Sequence, residues 1–251
     1  MSHSFELKKG AFIISDAHYS SHHRPELKSL FEDIFSGRLN PSQLILMGDI
    51  FDALFAPIPY TVHENRDMIG LLNGISKKIE IVYLEGNHDF CLKGIFENIK
   101  IYPLKSQPVS CRYENKTVLL AHGDLGEGIL YKIYTSLIRS PFVLYLLKYI
   151  DILGNHFILK NLDRYLQKKE DCNDFEAFQE YITARIGKRF TGRCDYFIEG
   201  HFHQNRSFEI DDFVYINLPA FACNQRYFIV QSSQQELLLE AQTSKGLGNE
   251  K

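Results

Sequence analysis

Five short blocks rich in aspartate, histidine and glycine constrain this chain more than any other feature: Asp16-Ala17-His18, Gly48-Asp49-Ile50-Phe51-Asp52, Gly86-Asn87-His88-Asp89, His122-Gly123-Asp124 and Gly200-His201-Phe202-His203. Each stands just past an apolar run: Ala11 to Ile14, Leu44 to Met47, Ile79 to Leu84, Val118 to Ala121 and Tyr196 to Ile198. Short runs of branched side chains bounded by polar residues and glycine predict buried strands. Five strand ends carrying such residues imply one common edge, because sites in α/β sheets form outside the carboxyl ends of their strands.

Helical spacing over Glu26 to Phe35 and Val62 to Ile75 fills the intervals of the first half, with Gly37 as a stop signal. The pattern is βαβαβ. From Glu127 to about Lys169 the chain reads as successive helices, followed by another from Asp174 to Phe190. Strands return at Arg206 to Ile210, Phe213 to Asn217, Tyr227 to Gln231 and Glu236 to Glu240, with hairpin turns at Asp211-Asp212 and Ser232 to Gln235. The expected organisation is an α/β core of residues 1–126 and 191–240, a helical insertion over 127–190 and a flexible tail over 241–251.

A formal net charge of -3 supplies no overall basic field, which argues against nucleic acid as a partner. The five cysteines (Cys91, Cys111, Cys172, Cys194, Cys223) form no CxxC pair, so they read as reduced thiols rather than a disulfide framework or zinc site. Residues Met1 to Gly10 lack the apolar run of a signal peptide. Pro141 to Leu147 is far shorter than the roughly 20 apolar residues a membrane-spanning helix needs. These features predict a cytoplasmic protein that can still rest on a membrane surface.

Carboxylates, imidazoles and one carboxamide, without thiolate, suit divalent manganese, iron, zinc or magnesium. Asp16, His18, Asp49, Asn87, His122, His201 and His203 are too many donors for one ion. They fit two ions sharing a carboxylate, an arrangement that activates water and clamps a phosphoryl group. His22 and His23 read as a solvated loop ahead of Pro25, and His3, His63 and His156 carry no ligand pattern.

In order and spacing the five blocks resemble the signature of the calcineurin-like metallophosphoesterases: DxH, GDxxD, GNHD, HG and GHxH. The resemblance covers Asp16 to His203. It implies a sandwich of two mixed β-sheets flanked by helices. It also implies one cation on Asp16, His18, Asp49 and His203 and a second on Asp49, Asn87, His122 and His201, with Asp49 the bridge and manganese the foremost metal, iron or zinc being alternatives. His88 then acts beside the phosphate as general acid or charge partner, Asp89 orients its ring, and Asp52 and Asp124 steer ligand histidines.

From Glu127 to Lys169, after the HGD block, Lys132, Arg139, Lys148, Lys160, Arg164, Lys168 and Lys169 outnumber Glu127, Asp151 and Asp163, and tyrosines and phenylalanines are interleaved with leucines. A basic, aromatic, apolar helical cap suits an acylated anion or an anionic lipid surface. An insertion at this place, with the GDxFD wording of Gly48 to Asp52, is similar to the UDP-2,3-diacylglucosamine hydrolases of lipid A synthesis, which work at the inner membrane face. The implied reaction splits the diphosphate of an acylated nucleotide sugar into UMP and 2,3-diacylglucosamine 1-phosphate. The chain departs from that group at His88, where arginine is common there, and at Leu218 to Phe221. Two other classes remain open: a soluble phosphatase or phosphodiesterase with another substrate, and a noncatalytic protein-binding scaffold.

Overall fold

The computed structural model describes residues 4–21, 24–124, 135–166, 172–187, 193–233 and 236–244. The expectations for His3, His22, His23 and for residues 125–134 fall outside them. Two six-stranded sheets are stacked. The first holds, across its width, β14 (Glu236–Thr243), β13 (Arg226–Ser233), β2 (Phe12–Ile14), β3 (Leu44–Leu46), β5 (Ile81–Leu84) and β7 (Ile99–Tyr102). The second holds β1 (Phe5–Glu6), β8 (Val109–Tyr113), β9 (Lys116–Ala121), β10 (Tyr196–Glu199), β12 (Phe213–Asn217) and β11 (Arg206–Ile210). Two short strands, β4 (Leu54–Phe55) and β6 (Asp89–Phe90), pair separately.

Side-chain alternation builds the layers. Ile13, Ile45, Val82 and Leu84 point inward to meet Val118, Leu120 and Ile198 between the sheets. Their neighbours Phe12, Ile14, Leu44, Leu46, Ile81 and Tyr83 point outward, under α1 (Pro25–Ser36) and α3 (Arg66–Ser76). Successive strand residues face opposite ways, so strands buried on both faces must be apolar throughout. On the far side of the second sheet, Leu119, Phe197 and Tyr215 pack under α6 (Phe178–Gly187) through Phe178 and Ile182. The α/β sandwich of two mixed sheets flanked by helices is therefore present.

Local chemistry sets the helix limits. Pro25 opens α1, and Gly37 closes it at φ 81°, donating its N–H to Ile34 O. The helix expected over Val62 to Ile75 is two helices, α2 (Pro59–Glu64) and α3, broken at Asn65, whose side chain donates to Ala53 O and Thr61 O. The expected helix over Asp174 to Phe190 is observed as α6, starting later. The strand expected to end at Glu240 continues to Thr243, paired with Arg226.

Between β9 and β10 the described residues form α4 (Pro141–Leu153), α5 (Phe157–Leu166) and α6. Leu144 and Leu159 from α4 and α5 close a small core over Phe55, Ile58 and Phe90. The opposite side is apolar and exposed, with Phe142, Tyr145, Leu146, Leu153, Phe157 and Tyr165 open to solvent. Among the described residues no single helix is long and apolar enough to cross a membrane; α4 and α5 reach that length and composition only together, bent by 96°.

The reading of all five cysteines as reduced is corrected: Cys172 and Cys223 form a disulfide, with Cα atoms 5.9 Å apart. The fold brings residues 51 positions apart to bridging distance, a pairing that spacing along the chain does not display. Cys91, Cys111 and Cys194 are free thiols.

Candidate metal centre

Strand register makes the ligand-bearing ends level. Ile14 pairs with Leu46 and Leu46 with Tyr83 in the first sheet, while Ala121 pairs with Glu199 in the second. Asp16, Asp49, Asn87, His122 and His201 then follow within a few residues of those ends. Asp16 N donates to Gly48 O at 3.1 Å within the first sheet, and His201 N donates to Asp16 Oδ2 at 3.0 Å, which ties the end of the second sheet to the first.

The backbone is contorted where the chemistry concentrates. Asp16 (φ 51°), His18 (φ 46°), Asp49 (φ 51°), His201 (φ 62°) and His203 (φ 60°) all occupy the left-handed region. Each such residue costs about 1–3 kcal/mol and persists only where its surroundings dictate it. Gly48, at φ 88°, admits no side chain, since a Cβ would lie 2.6 Å from His122 Nδ1.

Donor atoms of three overlapping sets lie within 4.8 Å of one another: Asp16, His18 and His203; His18, Asp49 and His88; Asp49, His122 and His201. Asp49 thus joins two neighbouring groups. Asn87 is at the second, its Oδ1 3.2 Å from His122 Nε2, which is also 3.4 Å from Asp49 Oδ2. All seven residues proposed from the sequence as ligands are brought together. A cleft of about 130 Å³ opens over them, lined by His18, Asp49, Asn87, His88, His201, Phe202 and His203.

Neighbouring acceptors decide which ring nitrogen is offered. His122 Nδ1 lies 3.0 Å from Met47 O and must donate to it, so Nε2 is the nitrogen that faces Asp49 and Asn87 and that could hold a cation once it gives up its proton. His18 Nδ1 lies 3.4 Å from Asp52 Oδ1, and its buried Nε2 has no hydrogen-bond partner. Asp16 Oδ1 is likewise buried without one, although His203 Nε2 is 3.2 Å away. Buried polar atoms are almost always satisfied, and two orphans facing one space suit a cation.

Electrostatics agree. Burial alone would push the Asp49 carboxyl up, but His122, His88 and His18 hold it well below the usual carboxylate range. For Asp16, burial is likewise overcome by His203, leaving it at about 2. Burial would lower His122, yet the Asp49 carboxylate raises it well above the ordinary imidazole value. Burial, and then the His122 charge, drop His201 to about 3, so its ring stays a neutral donor. Two wholly buried anions ringed by imidazoles form a donor set that divalent cations fit.

Three residues expected to support the site are arranged in distinct ways. Asp52 Oδ1 lies 3.4 Å from His18 Nδ1, and its carbonyl oxygen lies 2.8 Å from His88 Nδ1. Asp89 does not orient the His88 ring. Its carboxylate accepts the backbone N–H groups of Asp49 (3.0 Å), Ile50 (2.6 Å), Phe51 (3.2 Å) and Gly86 (3.0 Å) and the Tyr83 hydroxyl (2.6 Å), because the β6 strand turns it into the core. Asp124 does not steer a histidine either: its Oδ2 lies 3.4 Å from Arg139 Nη2, Met47 O having taken the His122 ring.

Supports that the sequence reading missed include Gln107, whose side chain accepts from His122 N at 2.7 Å and donates to Glu85 O at 2.8 Å. Ser15 donates to Asp16 Oδ2. No short motif marks either. His63 and His156 stand apart, paired with Arg66 and Asp151 respectively.

A family model described as calcineurin-like phosphoesterase matches residues 11–205. The UDP-2,3-diacylglucosamine hydrolase of Aromatoleum aromaticum is 25% identical over 133 residues, covering 52% of this chain and 54% of that protein. The one from Stutzerimonas stutzeri is 23% identical over 208 residues, covering 79% and 84%. The match therefore spans about half the length of the first relative and most of the second. Among solved structures, an archaeal phosphodiesterase aligns at TM-score 0.46 and 17% identity over 92% of this chain and 99% of its own. The Escherichia coli phosphoesterase Yfce aligns at 0.44 and 13% over 93% and 98%.

Proposed function

The chain belongs to the calcineurin-like phosphoesterases, a family of metal-dependent hydrolases, and from that premise we propose that it hydrolyses the diphosphate of UDP-2,3-diacylglucosamine to UMP and 2,3-diacylglucosamine 1-phosphate. The observation that carries a phosphoester reaction is the convergence of seven candidate donor residues, six of them around Asp49, beneath one cleft. Asp16, His18, Asp49 and His203 would hold one divalent cation, and Asp49, Asn87, His122 and His201 the other. Bound there, manganese, iron or zinc would supply activated water and positive charge opposite the phosphoryl oxygens.

The chain's own groups supply the remainder. Asp52 O accepts the proton of His88 Nδ1, which turns Nε2 toward the cleft. The ring donates from Nε2 to a phosphoryl oxygen or protonates the leaving group only as the doubly protonated imidazolium, and returns to the neutral Nδ1–H tautomer on giving up that proton. Asp49 Oδ1 accepts His88 N at 2.8 Å, which couples the position of that ring to the bridging carboxylate.

Two features favour the acylated nucleotide sugar. Two relatives carry that hydrolase's name. The exposed apolar side of α4 and α5, with Lys148, Lys160 and Arg164 on the same helices, suits acyl chains and an anionic inner-membrane surface on its cytoplasmic face. A second reading, a phosphodiesterase or phosphatase of another substrate, is favoured by His88 standing where an arginine is common in that group. The decisive assay follows UMP release from UDP-2,3-diacylglucosamine with added Mn²⁺, beside p-nitrophenyl phosphate and bis-p-nitrophenyl phosphate. The proposal expects strong preference for the acylated substrate. Turnover of the chromogenic esters alone would favour the second reading.

A further inference from the structure

We propose that the helical segment between β9 and β10 completes the metal centre through Arg139 and Arg185, positioning residues for the loops that carry Asn87, His122 and His201. This rests on the reading of those three side chains as ligands of one cation.

Both arginines make the same pair of contacts. Arg139, just ahead of α4, donates from Nη2 to Gly86 O at 2.9 Å and lies 3.4 Å from Asp124 Oδ2. Arg185, on α6, donates from Nη1 to Gly123 O at 2.9 Å and from Nη2 to Glu199. Each glycine adjoins a candidate ligand, Gly86 before Asn87 and Gly123 after His122. Each carboxylate belongs to a ligand loop or the strand end leading into one. The guanidinium groups lie over aromatic rings, Arg139 5.2 Å from Phe90 and Arg185 5.0 Å from Phe202. Their side chains are only 17% and 7% exposed, and Asp124 and Glu199 are buried.

The two glycine peptides have no slack. A Cβ on Gly86 would collide with the Asp49 carboxylate and lie 2.6 Å from Asp49 N; on Gly123 it would lie 3.0 Å from His201 Cβ and 3.2 Å from Gly200 O. A shift of either carbonyl therefore moves Asp49 or His201. A guanidinium can grip a carbonyl and a carboxylate in one plane, which an ammonium point charge does less well. Neither arginine lines the cleft, and each charge is neutralised by an internal carboxylate. Both facts set them apart from groups that bind a substrate phosphate. The segment that carries an apolar outer side thus also fixes the inner geometry.

The test is calorimetric titration of Mn²⁺ into the metal-stripped full chain, with thermal melts and bis-p-nitrophenyl phosphate kinetics alongside. The variants are Arg139→Met, Arg139→Lys and the double variant Arg185→Met with Glu199→Gln, which avoids leaving a buried carboxylate unpaired. The wild type should take up two ions. Each methionine variant should weaken one of them by about 10- to 100-fold while the other stays within about twofold, as loss of groups that orient ligands does. Arg139→Lys should recover part of that loss, and kcat should fall more than KM rises. Unchanged affinity at both sites in both methionine variants would overturn the proposal, as would equal weakening of both ions in step with the melting temperature. A wild type that takes up no ion would instead remove the ligand assignment beneath it, a failure visible before any substitution.

Discussion

Replacing Asp89 by asparagine separates two roles for a residue that lies one position from His88. Its carboxylate accepts five donors: Oδ1 takes Asp49 N and Gly86 N, and Oδ2 takes Ile50 N, Phe51 N and the Tyr83 hydroxyl. Burial and the Asp49 charge push this carboxyl up to about 7, while the donors favour the anion. Asparagine keeps one acceptor oxygen and turns an N–H₂ group toward the other set. At least two buried backbone N–H groups lose their acceptor, at about 1–3 kcal/mol each, so the loss is about 2–6 kcal/mol. For a chain of this size that lowers Tm by about 4–24 °C. Because two of those amides belong to Asp49 and Gly86, Mn²⁺ uptake should weaken together with stability. Differential scanning calorimetry and metal titration of Asp89→Asn measure both. An unchanged Tm with a reduced kcat would refute this reasoning and restore the role of orienting the His88 ring.

Four further outcomes are expected. Asp49→Ala should lower bound metal and abolish turnover without unfolding the domain; full activity would remove the bridge. His88→Ala should lower kcat by about 10²- to 10⁴-fold with metal stoichiometry unchanged, as elemental analysis beside kinetics would record. Leu146→Glu, on the exposed side of α4, should raise KM for a diacyl substrate and weaken binding to anionic vesicles while leaving a small chromogenic ester unaffected; equal effects on both substrates would contradict an acyl-binding cap. Glu80 ion-pairs with Lys100 and Lys8, which hold its carboxyl below 4.5 against the opposing effect of burial. A depressed folded value gives stability present above 4.5 and lost as pH falls through it. Glu80→Gln should therefore melt below the wild type at neutral pH, by under about 1 kcal/mol, and the gap should close in acid.

The candidate ligand set was legible because strand ends are. Branched apolar runs stop abruptly at Asp16, Gly48, Gly86, His122 and Gly200, and parallel pairing brings such stops to one level without further information. The supports were less legible. Asp89 has the sequence position of a His88 partner, yet at the start of β6 its carboxylate is taken by the Asp49, Ile50 and Phe51 amides while His88 lines the cleft. Asp124 met Arg139 rather than a histidine because a carbonyl, Met47 O, had already claimed the His122 ring. Backbone acceptors have no residue type to give them away. Strand β8 escaped notice because Ser110 and Arg112 interrupt its apolar side chains, although Val109, Cys111 and Tyr113 are buried at period two. The disulfide joins residues whose proximity depends on the complete fold.

Anomalous diffraction from crystals grown with Mn²⁺ tests the centre most directly. Two peaks about 3.5–4 Å apart should flank Asp49, one touching Asp16, His18 and His203 and the other Asn87, His122 and His201. A single peak, or peaks away from the Asp49 carboxylate, would contradict the two-cation assignment.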